Sequence, residues 1–160
     1  MSLNPYADAL GNREPTEVLA STPAKLDAVF SGLSAEQIER RPAPGKWSLR
    51  EIMAHLADCE IAFGFRLRQA AAGVDTIQPF DQDAWARNYG AYSFADAMTT
   101  YRALRAWNFA FIRSFTEEQK RSPVTHPERG TMTTWTIVET MAGHDLNHLA
   151  QIERLVPAPH

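Results

Sequence analysis

The chain has 160 residues, enough for one domain with a sizeable core, and 44% of it is hydrophobic against 22% charged, an ordinary globular balance. The net charge is −3 and the basic residues are scattered apart from the pair Arg40-Arg41, so nothing in the charge pattern calls for nucleic acid or an anionic membrane. No apolar run approaches the roughly 18 to 20 residues that a membrane-spanning helix needs.

The N-terminal stretch MSLNPYADALGNREP is polar and lacks a basic-then-apolar export pattern, which leads us to expect a cytoplasmic protein. The lone cysteine, Cys59, cannot form an internal disulfide and fits a reducing compartment. Apolar spacing is helical almost throughout. Thr22-Pro23 reads as the cap and first residue of a first long helix, whose stripe is Leu26, Val29, Phe30 and Leu33. Ser34 to Gln37 is a capping box for a short helix reaching about Arg40, and Pro42, Pro44 and Gly45 break the chain after it. A second capping box, Ser48 with Glu51, opens a long helix through Ile52, His55, Leu56, Cys59, Phe63 and Leu67, ended by Gly73.

Residues 74–92 form a long connection rich in Asp, Gln and aromatics. Ser93 caps the third long helix, with Asp96 near its start and an apolar face of Ala97, Tyr101, Leu104, Trp107 or Asn108, Phe111 and Phe115. Thr116 to Gln119 is a further capping box. Residues 122–134 are a loop with room for a small hairpin, and Thr136 with Glu139 reads as the capping box of a last helix ending near Leu155.

The chain echoes itself. Each half carries a hydroxyl-x-E-Q box, a proline loop, then a Trp-[Ser/Thr]-[Leu/Ile]-x-Glu-x-Met-Ala segment leading to His55 in one half and His144 in the other. Two similar helix pairs predict an all-α four-helix bundle over residues 1–160, with a long crossover between the second and third long helices.

Histidines four apart on a helix stack on one face, so His144 and His148 can offer two imidazoles to one ion. A catalytic metal site usually takes three protein ligands. Twelve residues follow His148, too few for the third ligand, and the echo points to His55 at a matching depth. The run His144-Asp145-Leu146-Asn147-His148 differs from a zinc-protease helix in having Asp145 where that chemistry needs glutamate as base. Asp58, three residues after His55, and Asp145 are the tentative catalytic carboxylates, for proton transfer or for orienting a ligand. Cys59 reads as a small buried apolar group, or as a thiolate on the metal face. His126, in a proline-flanked loop, reads as exposed, and His160 as a frayed terminus. The aromatics Trp47, Phe80, Trp85, Tyr89, Tyr92 and Trp135 either cap the core or line a pocket above the metal, and Arg87 is a candidate for binding an anionic substrate.

These motifs resemble the DinB/YfiT-like superfamily: Asn4-Pro5-Tyr6-Ala7, Pro44 to Asp58 with its W-S-x-x-E-x-x-x-H-L-x-D pattern, and Gly143-His144-x-x-x-His148-Leu149-Ala150-Gln151-Ile152. The resemblance spans about residues 4–155. It implies a four-helix bundle with a crossover and a divalent metal, zinc or nickel, on His55, His144 and His148. It also implies a homodimer and a small-molecule substrate, with hydrolysis or transfer of a low-molecular-weight thiol such as bacillithiol as the chemistry. A non-catalytic bundle that binds metal or a partner is the rival expectation.

Overall fold

The computed structural model describes residues 2–156, so His160 lies outside the described residues. The elements are α1 (Ala7–Leu10), α2 (Pro15–Phe30), α3 (Ala35–Glu39), α4 (Leu49–Ala71), α5 (Gln82–Ala86), a 3₁₀ turn (Tyr89–Ala91), α6 (Phe94–Arg113), α7 (Glu117–Arg121), a hairpin of β1 (Pro123–His126) and β2 (Gly130–Thr133), and α8 (Thr134–Leu155). Four long helices, α2, α4, α6 and α8, make the bundle, and the two-stranded hairpin is its one sheet among the described residues.

The caps of α3, α4, α6 and α7 lie where the sequence puts them. Ser34, Ser48, Ser93 and Thr116 each accept a backbone N–H three residues on. Two helix starts differ. α2 begins at Pro15, one full segment earlier than Thr22-Pro23, with Glu14 before it and Pro15 in the first turn. Pro23 therefore sits inside the helix, where it has no N–H for the carbonyl of Leu19. The guanidinium of Arg105 donates to that carbonyl at 3.1 Å and satisfies it from α6. The last helix begins at Thr134 with Thr133 as its cap, not at Thr136 and Glu139. The hairpin delivers Thr133 straight into the helix, and its hydroxyl accepts from Thr136 N–H at 3.3 Å.

α4 and α6 run parallel. Ala54 and Ala57 share a groove with Ala97, Glu60 meets Arg105 further along, and Arg68 meets Asn108 beyond that. Parallel neighbours cannot be joined by a tight turn, which is why residues 72–93 run back along the bundle from the end of α4 to the start of α6. α8 runs antiparallel to α4: Phe63 and Leu67 share a core cluster with Ile137, Val138 and Met141, while Ile52 and Met53 share another with Leu149 and Ile152. The face of α6 is set by Asn108, 2% exposed, and not by Trp107, 71% exposed.

The crossover is tied down at three points. Arg50 donates to the carbonyls of Tyr89 and Tyr92 at 2.6 and 3.2 Å. The backbone of Asp75 to Ile77 pairs with Thr125 of β1, with Thr125 N–H on Asp75 at 2.8 Å and Ile77 N–H on Thr125 at 3.0 Å. Arg66 holds the Gln78 carbonyl at 3.1 Å. Crossover and hairpin thereby form one cover over the middle of α4 and α8. α1 closes the same region from the N-terminal side. It lies on α8 at Gly143, where a Cβ would stand 2.5 Å from the Tyr6 carbonyl oxygen.

Candidate metal centre

The antiparallel packing of α4 against α8 brings His55, His144 and His148 together. All three are buried, and one nitrogen of each lies within 4.8 Å of the others. His55 Nε2 and His144 Nε2 stand 3.1 Å apart. His148 Nδ1 donates to the side-chain amide oxygen Oε1 of Gln151 at 2.7 Å, one turn on, which leaves its Nε2 lone pair free for a ligand role. His55 Nδ1 lies 3.3 Å from the Tyr89 hydroxyl. Matched depth on the two helices does not cause the convergence. His55 follows its cap Ser48 by seven residues and His144 follows Thr133 by eleven. Two antiparallel helices meet wherever their registers cross.

Burial disfavours a charged imidazolium, and neighbouring rings add to the effect for His55 and His144. Burial, then the nearby His148, lower the His55 pKa to about 3. Burial, then His148, His55 and Arg105, hold His144 well below the usual histidine range. Burial lowers His148 as well, against the opposing pull of its bond to Gln151 and of Asp145. Three neutral imidazoles with converging lone pairs are the donor set a borderline divalent ion takes, so the residues fit such an ion.

Cys59 Sγ lies 3.5 Å from His55 Nε2 and 3.7 Å from His144 Nε2. Burial, then the carboxylates of Glu60 and Asp58, push its thiol pKa well up. The ring of Trp47 packs on His55 with centroids 4.9 Å apart, Tyr6 meets His144 edge-on at 5.2 Å, and Phe63 meets it at 5.7 Å.

The two aspartates are not brought to this cluster. Asp145 puts both oxygens on Arg105, at 2.7 and 2.9 Å, pointing away into the bundle. Arg105 also holds Glu60, at 2.6 and 3.1 Å, and Glu60 accepts from Asn108 at 3.0 Å. Asp145 is thus a structural counter-ion joining α8 to α6 and α4. Asp58 lines a separate groove between α4 and α6 with Tyr92 and Asp96, and burial raises its pKa.

A cavity of about 200 Å³ opens beside the histidines, floored by His144, Cys59 and Phe63. Tyr6, Phe80, Arg66, His126 and Arg129 also line it. Three expectations change here. His126 is 3% exposed, because the hairpin turns it inward under the crossover. Arg87 is exposed and stands outside the cavity, and Arg66 and Arg129 are the guanidiniums within it. Of the aromatic set, Trp47, Tyr89 and Phe80 face this region, while Trp135 lines a hollow between α2 and α6. Arg66 and Arg105, absent from the residues expected at the site, carry a sequence signal of their own: each is a charge on the apolar stripe of a core helix.

A four-helix bundle with a buried three-histidine cluster at the side of a cavity is the frame of a metal-binding helical protein. Residues 19–152 match the DinB superfamily, and the chain belongs to it. It is 26% identical over 135 residues to a protein of Oceanobacillus iheyensis named "Putative metal-dependent hydrolase", covering 83% of this chain and 78% of that one. It is 24% identical over 146 residues to YfiT of Bacillus subtilis, which bears the same description, covering 87% and 80%. The solved structure of YfiT, described as having an unusual four-helix bundle topology, superposes with a TM-score of 0.79 at 23% identity, over 88% of this chain and 83% of that one. The mycothiol-dependent maleylpyruvate isomerase superposes with a TM-score of 0.71 at 14% identity, over 92% of this chain and 62% of that one. No helix among the described residues is long and apolar enough to cross a membrane.

Proposed function

We propose that this chain is a metal-dependent enzyme of small-molecule substrates, with His55, His144 and His148 as the ligands of one divalent ion, zinc or nickel. The observation that carries the reading is three buried, neutral imidazoles with converging nitrogens beside a cavity large enough for a small organic group. When bound, such an ion supplies Lewis-acid polarisation and lowers the pKa of a water or thiol that joins it.

The chain's own residues do the rest. Gln151 fixes the His148 tautomer, Trp47 and Tyr89 hold the His55 ring, and Tyr6 and Phe63 shield His144 from bulk water. Hydrolysis is supported by the names its relatives carry. Transfer of a low-molecular-weight thiol is supported by the fold shared with a mycothiol-dependent enzyme. A homodimer in the cytoplasm completes the reading.

The test is elemental analysis of protein purified without a nickel column, beside the His55→Ala, His144→Ala and His148→Ala variants. Near one zinc or nickel per chain, lost in each variant, is expected. Metal content that stays the same in all three variants refutes the site. Ester and amide turnover, measured against thiol consumption with an electrophile, separates hydrolase from transferase, and light scattering reads the oligomeric state.

A further inference from the structure

Arg66 is an unusual residue for the middle of a bundle helix. It is 7% exposed, and its one hydrogen bond among the described residues is from Nε to the Gln78 carbonyl, 3.1 Å away. Among the described residues no carboxylate lies within ion-pair distance of it, whereas Arg105 on the neighbouring helix holds two. A guanidinium has five N–H donors, so four of those of Arg66 have no hydrogen-bond acceptor among the described residues, and the side chain lines the cavity. A buried cation without a counter-ion is strongly unfavourable unless something else meets it. Phe80 and Phe63, 5.3 and 5.9 Å from its Cζ, position the group and compensate a part of that cost.

The rest of that wall also donates. His126 Nδ1 accepts from the Glu128 N–H at 3.2 Å, so the neutral ring carries its proton on Nε2. Arg129 lines the same cavity, and Glu128 is its one carboxylate. Two guanidiniums against one carboxylate leave one net positive charge on this side. His144 and Cys59 of the metal cluster line the same cavity. A single cavity thus joins a site for a metal to a cationic, donor-rich wall.

We propose that Arg66, with Arg129 and His126, is the anion-recognition wall of the active-site cavity, and that the substrate or thiol cosubstrate is a small monocarboxylate whose carboxylate docks there while its reacting end faces His144. The single net positive charge matches a carboxylate and is exceeded by a phosphate, which carries about −1.5 to −2 at neutral pH. The planar fork of Arg66 suits two parallel N–H···O bonds to a carboxylate. A volume of about 200 Å³ holds only a handful of water-sized groups, which limits the buried part of the ligand to a short chain. This assignment of substrate class rests on the metal-enzyme reading, but the wall itself is present without the ion.

The test uses butyrate as probe, neutral butyramide as its isostere and inorganic phosphate as competitor. Binding is followed by amide chemical-shift perturbation in the zinc-loaded protein and in chelator-treated protein. Butyrate is expected to bind in both, with shifts at residues 126–130 and around Arg66, and at least tenfold more tightly than butyramide. Arg66→Gln is expected to weaken butyrate at least tenfold. Arg129→Gln, at a half-buried loop position, should weaken it severalfold and serves if the Arg66 variant does not fold. Equal binding of butyrate and butyramide, or no loss in either variant, overturns the proposal. Phosphate binding more tightly than butyrate overturns the carboxylate assignment. Metal retained without butyrate binding removes the wall and leaves the metal reading standing, while butyrate binding to a chain that takes up no metal does the reverse. Comparing butyrate with its four-carbon thiol acid analogue, 4-mercaptobutyrate, then tells the two sources apart: zinc-dependent tightening for the thiol assigns the wall to the cosubstrate, and its absence assigns it to the substrate.

Discussion

Replacing Arg105 with methionine is the sharpest test of how this bundle is held together. Arg105 is 3% exposed and uses all five of its N–H donors: two toward Glu60, two toward Asp145 and one toward the Leu19 carbonyl. Methionine fills much of the stem volume and supplies none of these bonds. Two buried carboxylates lose their partner, and the carbonyl that Pro23 leaves without an N–H loses its donor. Breaking a buried ion pair from one side costs about 3 to 5 kcal/mol, and an orphaned buried carbonyl about 1 to 3 more. Against a total stability of about 5 to 15 kcal/mol, a loss of roughly 4 kcal/mol or more leaves a marginal fold. Urea unfolding at pH 7, followed by far-ultraviolet circular dichroism, should show the midpoint falling by about 2 M if the slope is near 2 kcal/mol per M. The triple change Arg105→Met, Glu60→Gln, Asp145→Asn should recover a large share, because no unpaired charge remains. A loss below about 1 kcal/mol for the single variant would refute the reasoning and make the network a passenger.

Three further outcomes follow from the site. Saturating zinc should stabilise the chelator-treated protein by about 2.7 kcal/mol at one hundred times its dissociation constant, and His148→Ala should abolish the effect in a thermal melt. Metal-free protein should weaken in mild acid. His55 has a folded pKa near 3 against its ordinary 6.5, so the folded chain binds fewer protons than the unfolded one. Its contribution is intact above pH 6.5 and is lost as the pH falls toward 3. Linkage gives a loss of about 2 kcal/mol for His55 alone between pH 7 and pH 5, with His144 adding in the same direction. Urea midpoints at the two pH values check this, and an unchanged midpoint contradicts the buried neutral cluster. Gly143→Ala raises helix propensity by about 1 kcal/mol, yet its Cβ would meet the Tyr6 carbonyl oxygen at 2.5 Å, a backbone atom that must move. Net destabilisation of about 1 to 3 kcal/mol is expected, read as a lower melting temperature, and a higher one would show that α1 does not pack tightly on α8.

The sequence determined those features whose cause is local. Capping boxes at Ser34, Ser48 and Thr116 each satisfy a helix's orphan N–H groups within four residues, so they read correctly without any neighbour. The 3.6-residue stripes announced four long helices, and the spacing of His144 and His148 put two imidazoles on one face. Where local rules offer two sites for the same signal, they chose wrongly. Thr22-Pro23 has the chemistry of a helix start, but Pro15 starts the helix and a buried arginine from α6 rescues the interior proline. Thr136 resembles a cap, but a hairpin carries the chain into the helix at Thr133. Only the tertiary structure decided the roles of the charged residues. Asp145, Arg105 and Arg66 sit on similar helical stripes, and nothing within four residues of each says which is paired and which faces a cavity. Those fates depend on groups 40 or more positions away along the chain for Asp145 and Arg105, and on the crossover and hairpin that close over Arg66. Burial makes a charge expensive wherever it lies, and only packing shows what compensates it.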